Sequence, residues 1–172
     1  MLRFPRRDEA RLRLVTPDPR EPWRAGVPLV DLAAAAGGFS PEQLLEEAHE
    51  TEEWYSWEGA PSFQRGDFLA RVVGNSMTPL IPPGALCLFR LSNLETTSRR
   101  PVLARLATDG EGACYTVKDL HIEWAEDQQG GRAWKRIELR PQNPAHPTLR
   151  FDPKDRQQIS VIAEVVAVLG ES

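Results

Sequence analysis

Residues 71–90 read RVVGNSMTPLIPPGALCLFR. Both ends are apolar and β-branched or aromatic, as in strands packed against neighbours. Between them, Gly74 and Asn75 tolerate positive φ, and Pro82-Pro83-Gly84 is turn chemistry. The stretch reads as strand, sharp turn, strand. Ser76 falls on the turn, where its hydroxyl is exposed. There the consecutive N–H groups of Ser76 and Met77 can point at one spot, as an oxyanion hole requires.

The same pattern continues outward. FLARVV (68–73) and ALCLFRL (85–91) flank the turn, and VLARLA (102–107), ACYTVKDL (113–120) and AWKRIEL (133–139) follow. ISVIAEVVAVL (159–169) is a long β-branched run. In AWKRIEL, alternation puts Trp134, Arg136 and Glu138 on one face and Lys135, Ile137 and Leu139 on the other. PPG, DGEG, QQGG and PQNPAHP separate these segments. Upstream, SPEQLLEEAHE (40–50) begins a helix: Ser40 caps, Pro41 suits the first turn, and Gln43 completes a capping box. Leu44, Leu45 and Ala48 form its apolar stripe, and it ends near Thr51. Trp54, Tyr55 and Trp57 are expected to pack in a core. The fold class is mainly β, with one short N-terminal helical segment. Three parts follow: an Arg-rich arm (1–26) ordered only where it docks, a linking segment with the helix (27–65), and a β domain (66–172).

Composition narrows the function. The chain has 172 residues, 41% hydrophobic and 27% charged, with net charge −4, so it folds as a globular domain. The charge argues against broad nucleic-acid binding but leaves room for a local patch. Asp8, Glu9, Asp18 and Glu21 interrupt the arm's arginines. The arm is too short for a helix-turn-helix, and no sequence-specific DNA binding is expected. No apolar run spans a bilayer, and MLRFPRRDEARLRL lacks a secretion-signal core. The expected location is cytoplasmic. Cys87 and Cys114 read as buried free thiols. His49, His121 and His146 are scattered without ligand spacing, so neither a metal nor a cofactor is expected.

A serine is inert unless a base takes its proton, and no histidine here sits in a catalytic motif. A lysine stripped of water can serve instead. Lys118 lies in CYTVKDL, on a strand face shared with Thr116 and Cys114. From spacing alone, Ser76 stays open between nucleophile and turn serine, and Lys118 between base and solvated strand lysine.

The combined motifs settle that choice by resemblance. Gly74-Asn75-Ser76-Met77, then Thr116-Val117-Lys118 with Ser76 and Lys118 42 residues apart, resemble the LexA/UmuD-like self-cleaving peptidases. Leu139, Pro141, Asn143 and Pro147 match that family's later L-x-P-x-N-x-x-x-x-P segment, and VIAEVVAVL resembles its last strand. The resemblance implies the LexA/signal-peptidase β fold, a Ser76–Lys118 dyad and an oxyanion hole from the Ser76 and Met77 N–H groups. Two departures stand out. Ala85 replaces the family's acidic residue after Gly84, and HIEWAEDQQGGRAW (121–134) is an insertion.

The family cuts its own N-terminal segment at Ala–Gly or Cys–Gly bonds. VPLVDLAAAAGGFSP (27–41) resembles the UmuD-like stretch before the cut. Ala36–Gly37 is the favoured bond and Gly37–Gly38 the alternative. Read without the resemblance, the alanines followed by Gly37 also fit a short capped helix. With no DNA-binding segment ahead of the β domain, the expected role is a UmuD-like or accessory switch in a bacterial stress (SOS-like) or defence response. Homodimerisation through the C-terminal strand is expected. A RecA–DNA filament co-protease or a larger helicase- or polymerase-type partner is implied by the resemblance. The competing reading keeps the peptidase fold as an interaction module with weak or absent chemistry. Membrane signal peptidase activity is disfavoured for want of an anchor.

Overall fold

The computed structural model describes residues 12–32, 46, 51, 53–58, 62–94, 101–107 and 113–170. A small antiparallel sheet holds β1 (Arg13–Val15), β2 (Val27–Pro28) and β3 (Trp54–Ser56), with β3 central. Seven further strands follow: β4 (Phe68–Arg71), β5 (Leu86–Leu91), β6 (Pro101–Ala107), β7 (Ala113–Glu126), β8 (Arg132–Arg140), β9 (Leu149–Phe151) and β10 (Ile159–Gly170). They form one antiparallel sheet in the order β4-β5-β10-β6-β7-β8-β9. The architecture is mainly β, as the pattern from residue 68 onward indicates.

Period-two alternation sorts side chains between cores. Phe68, Ala70, Cys87 and Phe89 face one cluster, which also takes Leu103, Val117 and Val165. Leu69, Leu86 and Leu88 face a second, against Trp23, Val27, Trp54 and Trp57. β5 is therefore buried on both faces at Leu86–Phe89, which explains its continuous apolar run. A third cluster holds Val102, Leu120, Ile137, Leu139 and Phe151. β10 serves all three. Ile159 and Val161 face the third cluster; a bulge before Ala163 then turns Ile162, Ala163 and Val165 toward the first. Ala167 and Leu169 reach the second.

β10 pairs with β5 over Ala163–Gly170 and with β6 over Ile159–Glu164. The strand expected to pair with a second copy is thus interior where the two registers overlap. Among the described strands, only its far end lacks a partner on the β6 side.

Residues 12–26 dock. Trp23 is buried, meets Trp54 edge-on at 5.4 Å, and donates from Nε1 to the Asp67 carbonyl at 2.8 Å. Asp67 is fully buried and accepts from Arg90 Nε at 2.9 Å, Arg90 Nη2 at 2.8 Å and the Gln64 N–H at 2.9 Å. That network fixes the turn on which Trp23 rests. The arm also forms a short helix, α1 (Pro22–Ala25), which its mixed charge did not suggest. The helix expected from Ser40 lies outside the described residues apart from Glu46.

Two expectations need correcting. Lys135 does not share a face with Ile137 and Leu139. Between Glu123↔Arg136 and Trp124↔Trp134 the β7–β8 register skips it, so Lys135 is a bulge residue held to Glu123 at 2.7 Å in solvent. The bulge swings Trp134 onto the side of Ile137 and Leu139. Cys114 is exposed, whereas Cys87 is buried; burial pushes the Cys87 thiol up to about 12. The reason for Cys114 is its place at the start of β7, on the strand face that opens onto a cleft. The insertion at 121–134 lengthens the β7–β8 hairpin, whose turn is closed by Asp127 Oδ1 accepting from the Gln129 and Gly131 N–H groups.

Candidate active site

The link between β4 and β5 carries the serine. Its neck is closed by Val72 N–H to Ala85 O at 3.0 Å and Gly84 N–H to Val72 O at 2.8 Å. Gly74 takes φ +85°, a conformation costly for any residue with a Cβ. Beyond it, Met77 and Ile81 plunge into the first core, 1% and 0% exposed, and pin the loop from below. Ser76 is left half-buried at the surface. Neither the Ser76 nor the Met77 N–H donates to another group among the described residues. Ala85, which closes the neck, is fully buried.

Lys118 comes from β7, paired with Val102 of β6 and only 8% exposed. Its Nζ lies 2.7 Å from Ser76 Oγ, 2.8 Å from Thr116 Oγ1 and 3.2 Å from Val117 O. No carboxylate is among these contacts. Burial pulls the Lys118 ammonium below its ordinary value of 10.5, because the charged form has lost water without gaining a counter-ion. Thr116 and Lys118 meet because residues two apart on a strand share a face.

A third element reaches the turn and escaped the sequence reading. The β8–β9 connection donates from the Asn143 N–H to Ser76 O at 2.9 Å and from Asn143 Nδ2 to Asn75 O at 3.1 Å. His146 Nε2 sits 2.6 Å from Asn75 Oδ1. Asn143 was visible as a motif match without a role, and His146 as one scattered histidine. The signal was the loop itself, PQNPAHP, too rich in fixed turns to be a slack connection. Gln142 in the same loop bonds Asp119, the residue after Lys118, whose carboxyl burial holds above the usual range. The loop thereby ties the serine's turn to the lysine's strand. Replacing Asn143 by alanine is expected to slow any reaction at Ser76 by about 10–100-fold, the cost of misplacing a reacting group by roughly 1 Å. The pH midpoint should not move, because Lys118 keeps its surroundings. A pH series of self-cleavage rates would check this, and a shifted midpoint would contradict it.

A cleft of about 420 Å³ opens beside Ser76. Arg71, Val72 and Val73 line it together with Leu103 and Ala113–Val117. Leu32 also lines it. The chain enters from Leu29, bridged in parallel to Leu69, with the Val30 N–H on Leu69 O at 2.8 Å. Residues 29–32 thus run beside β4 toward the serine's turn. The bonds Ala36–Gly37 and Gly37–Gly38 lie outside the described residues. Among those described, no group of His, Cys, Asp or Glu could hold a metal ion, and no helix is long and apolar enough to cross a membrane.

The family model described as Peptidase S24-like matches residues 28–166. No curated protein matches the chain.

Proposed function

The chain belongs to the Peptidase S24-like family of LexA/UmuD-type serine peptidases, and on that premise we propose that it cleaves its own N-terminal segment with a Ser76–Lys118 dyad. The observation that carries this reading is the 2.7 Å contact between Lys118 Nζ and Ser76 Oγ, made by a lysine that burial drives toward neutrality. A neutral amine keeps two N–H donors for Thr116 Oγ1 and Val117 O and turns its lone pair to the serine hydroxyl.

The chemistry is acyl transfer. Lys118 takes the Ser76 proton as Oγ bonds to the scissile carbonyl carbon. The carbonyl oxygen becomes an oxyanion, held by the N–H groups of Ser76 and Met77. Lys118 returns the proton to the leaving nitrogen, and the C–N bond breaks. Water, deprotonated by the same lysine, then releases the acyl group from Oγ.

Cleavage within one chain is supported by Leu32. It already lines the same cleft as Ser76, and the four residues from Leu32 to Ala36 can extend by at most about 14 Å. Small side chains at 33–38 let the backbone lie close to the cleft floor. We assign the bond to Ala36–Gly37, with Gly37–Gly38 as the alternative, and the biological role to a switch in a bacterial stress or defence response.

Intact mass followed over pH tests the reading. The amine works only when neutral, so the rate rises as pH climbs through the lowered lysine value and then levels off below the range of a free lysine. The expected product spans residues 37–172, and Ser76→Ala should produce none. Equal fragmentation of wild type and Ser76→Ala would refute the proposal.

A further inference from the structure

Far from Ser76, at the opposite end of β4, lies a second cavity of about 480 Å³, lined by Arg20, Glu21, Pro22, Trp23, Arg24 and Arg65. Among the described residues three arginines line this space, all of them exposed, in a chain whose net charge is −4. The carboxylate among the described lining residues, Glu21, is paired with Arg24 at 3.2 Å. The side chains of Arg20 and Arg65 have no acceptor among the described residues. The wall is held firmly. Trp23 is tied to the Asp67 carbonyl, Asp67 is clamped by Arg90, and Arg65 sits on the turn between Gln64 and Asp67.

Among the described lining residues, three positive charges against one negative leave a surplus of two. Like charges gathered without partners destabilise the free protein and are relieved by a bound anion. A lone carboxylate brings one charge and fills little of the space. A phosphate ester brings about 1.5–2 charges and oxygens suited to the arginine fork. The volume suits a ligand of nucleotide size, with Pro22 and Trp23 offering an apolar wall to its non-phosphate part.

We infer that the Arg20–Arg24–Arg65 cavity is a binding site for phosphate-bearing ligands, a nucleotide or the backbone of a single nucleic-acid strand. The site is independent of the peptidase reading, since none of its residues lines the Ser76 cleft. Recognition runs through phosphate, so base sequence is not read.

The test uses the full chain. Fluorescence anisotropy follows a labelled twelve-residue thymidine strand, with ADP and inorganic phosphate as competitors. The wild type is expected to bind with Kd on the order of 10–100 μM at moderate salt. Replacing Arg20, Arg24 and Arg65 together by alanine should weaken binding at least tenfold. It should also lower the slope of log K against log salt by about 2, the loss of three single-strand phosphate contacts. The corresponding triple lysine variant should lose only a few-fold, and circular dichroism checks that both variants fold. ADP displacing the strand near its own Kd identifies a nucleotide site. ADP failing to displace it identifies a strand site. Absence of binding by any of these probes overturns the inference. So does binding unchanged in the alanine variant, or abolished only by replacing Arg3, Arg6, Arg7 and Arg11.

Discussion

Replacing Lys118 by methionine is expected to abolish self-cleavage at every pH while leaving the fold at least as stable. The two halves of that expectation share one cause. Methionine fills nearly the same volume but has no lone-pair nitrogen, so the Ser76 proton has nowhere to go. Loss of a general base costs about 10²–10⁴ in rate, and loss of one member of a dyad tends to the upper end of that range. For stability, the lysine's folded value lies below 10.5, so the folded state disfavours the ammonium relative to the unfolded chain. That cost is complete below the folded value. It fades as pH rises toward about 10.5, where both states release the proton. Methionine removes it. Urea unfolding at neutral pH should give an equal or higher midpoint, and intact mass at alkaline pH should show no fragment. A clearly lower midpoint would mean that the three bonds made by Nζ outweigh its desolvation. Residual pH-dependent cleavage would assign the base elsewhere.

Replacing Phe89 by alanine is expected to have the largest effect on stability. Phe89 is fully buried, stacks on Phe68 at 5.2 Å, and pairs with Phe68 on one side and Val165 on the other. Removing a ring from such a position costs about 3–5 kcal/mol, because neighbours collapse only partly into the space. Urea unfolding should shift to lower midpoint by roughly 1–2 M without change in slope. Cleavage by the molecules that remain folded should be little altered, since Phe89 neither bonds Ser76 or Lys118 nor lines the cleft. A shift below about 0.3 M would show that the site repacks freely.

The strands, the serine's turn and the lysine's strand face were legible because each rests on local chemistry. Gly74-Asn75 marks the turn, and alternation aligns Thr116 with Lys118. Other features depend on partners distant in the chain. Nothing within ISVIAEVVAVL states that β10 inserts between β5 and β6. The β8 bulge at Lys135 arises from register with β7, so alternation read in β8 alone places Trp134 on the wrong side. Cys114 and the β-strand residues around it have the composition of buried strand, yet a cleft opens along that face. Asn143 and His146 act across 68 and 71 residues of chain, a relation no local pattern carries. The docking of the arm was hidden for the same reason. Charge pattern marks residues 12–26 as solvated, whereas the pairing of β1 with β3 and a tryptophan anchored to Asp67 hold them in place.

The insertion of β10 has a consequence for how the molecule is made. β4 and β5 carry Ser76, and β6 and β7 carry Lys118, but in the sheet the two pairs touch only through β10. β10 is the last of these strands to leave the ribosome. While translation is under way, the serine's half and the lysine's half have no shared strand to register them. The strand that joins Ser76's half of the sheet to Lys118's half is therefore the last of these to be synthesised. The order of strands in the sheet, set against their order in the chain, makes the joining of the serine's half to the lysine's half a late event in building the molecule.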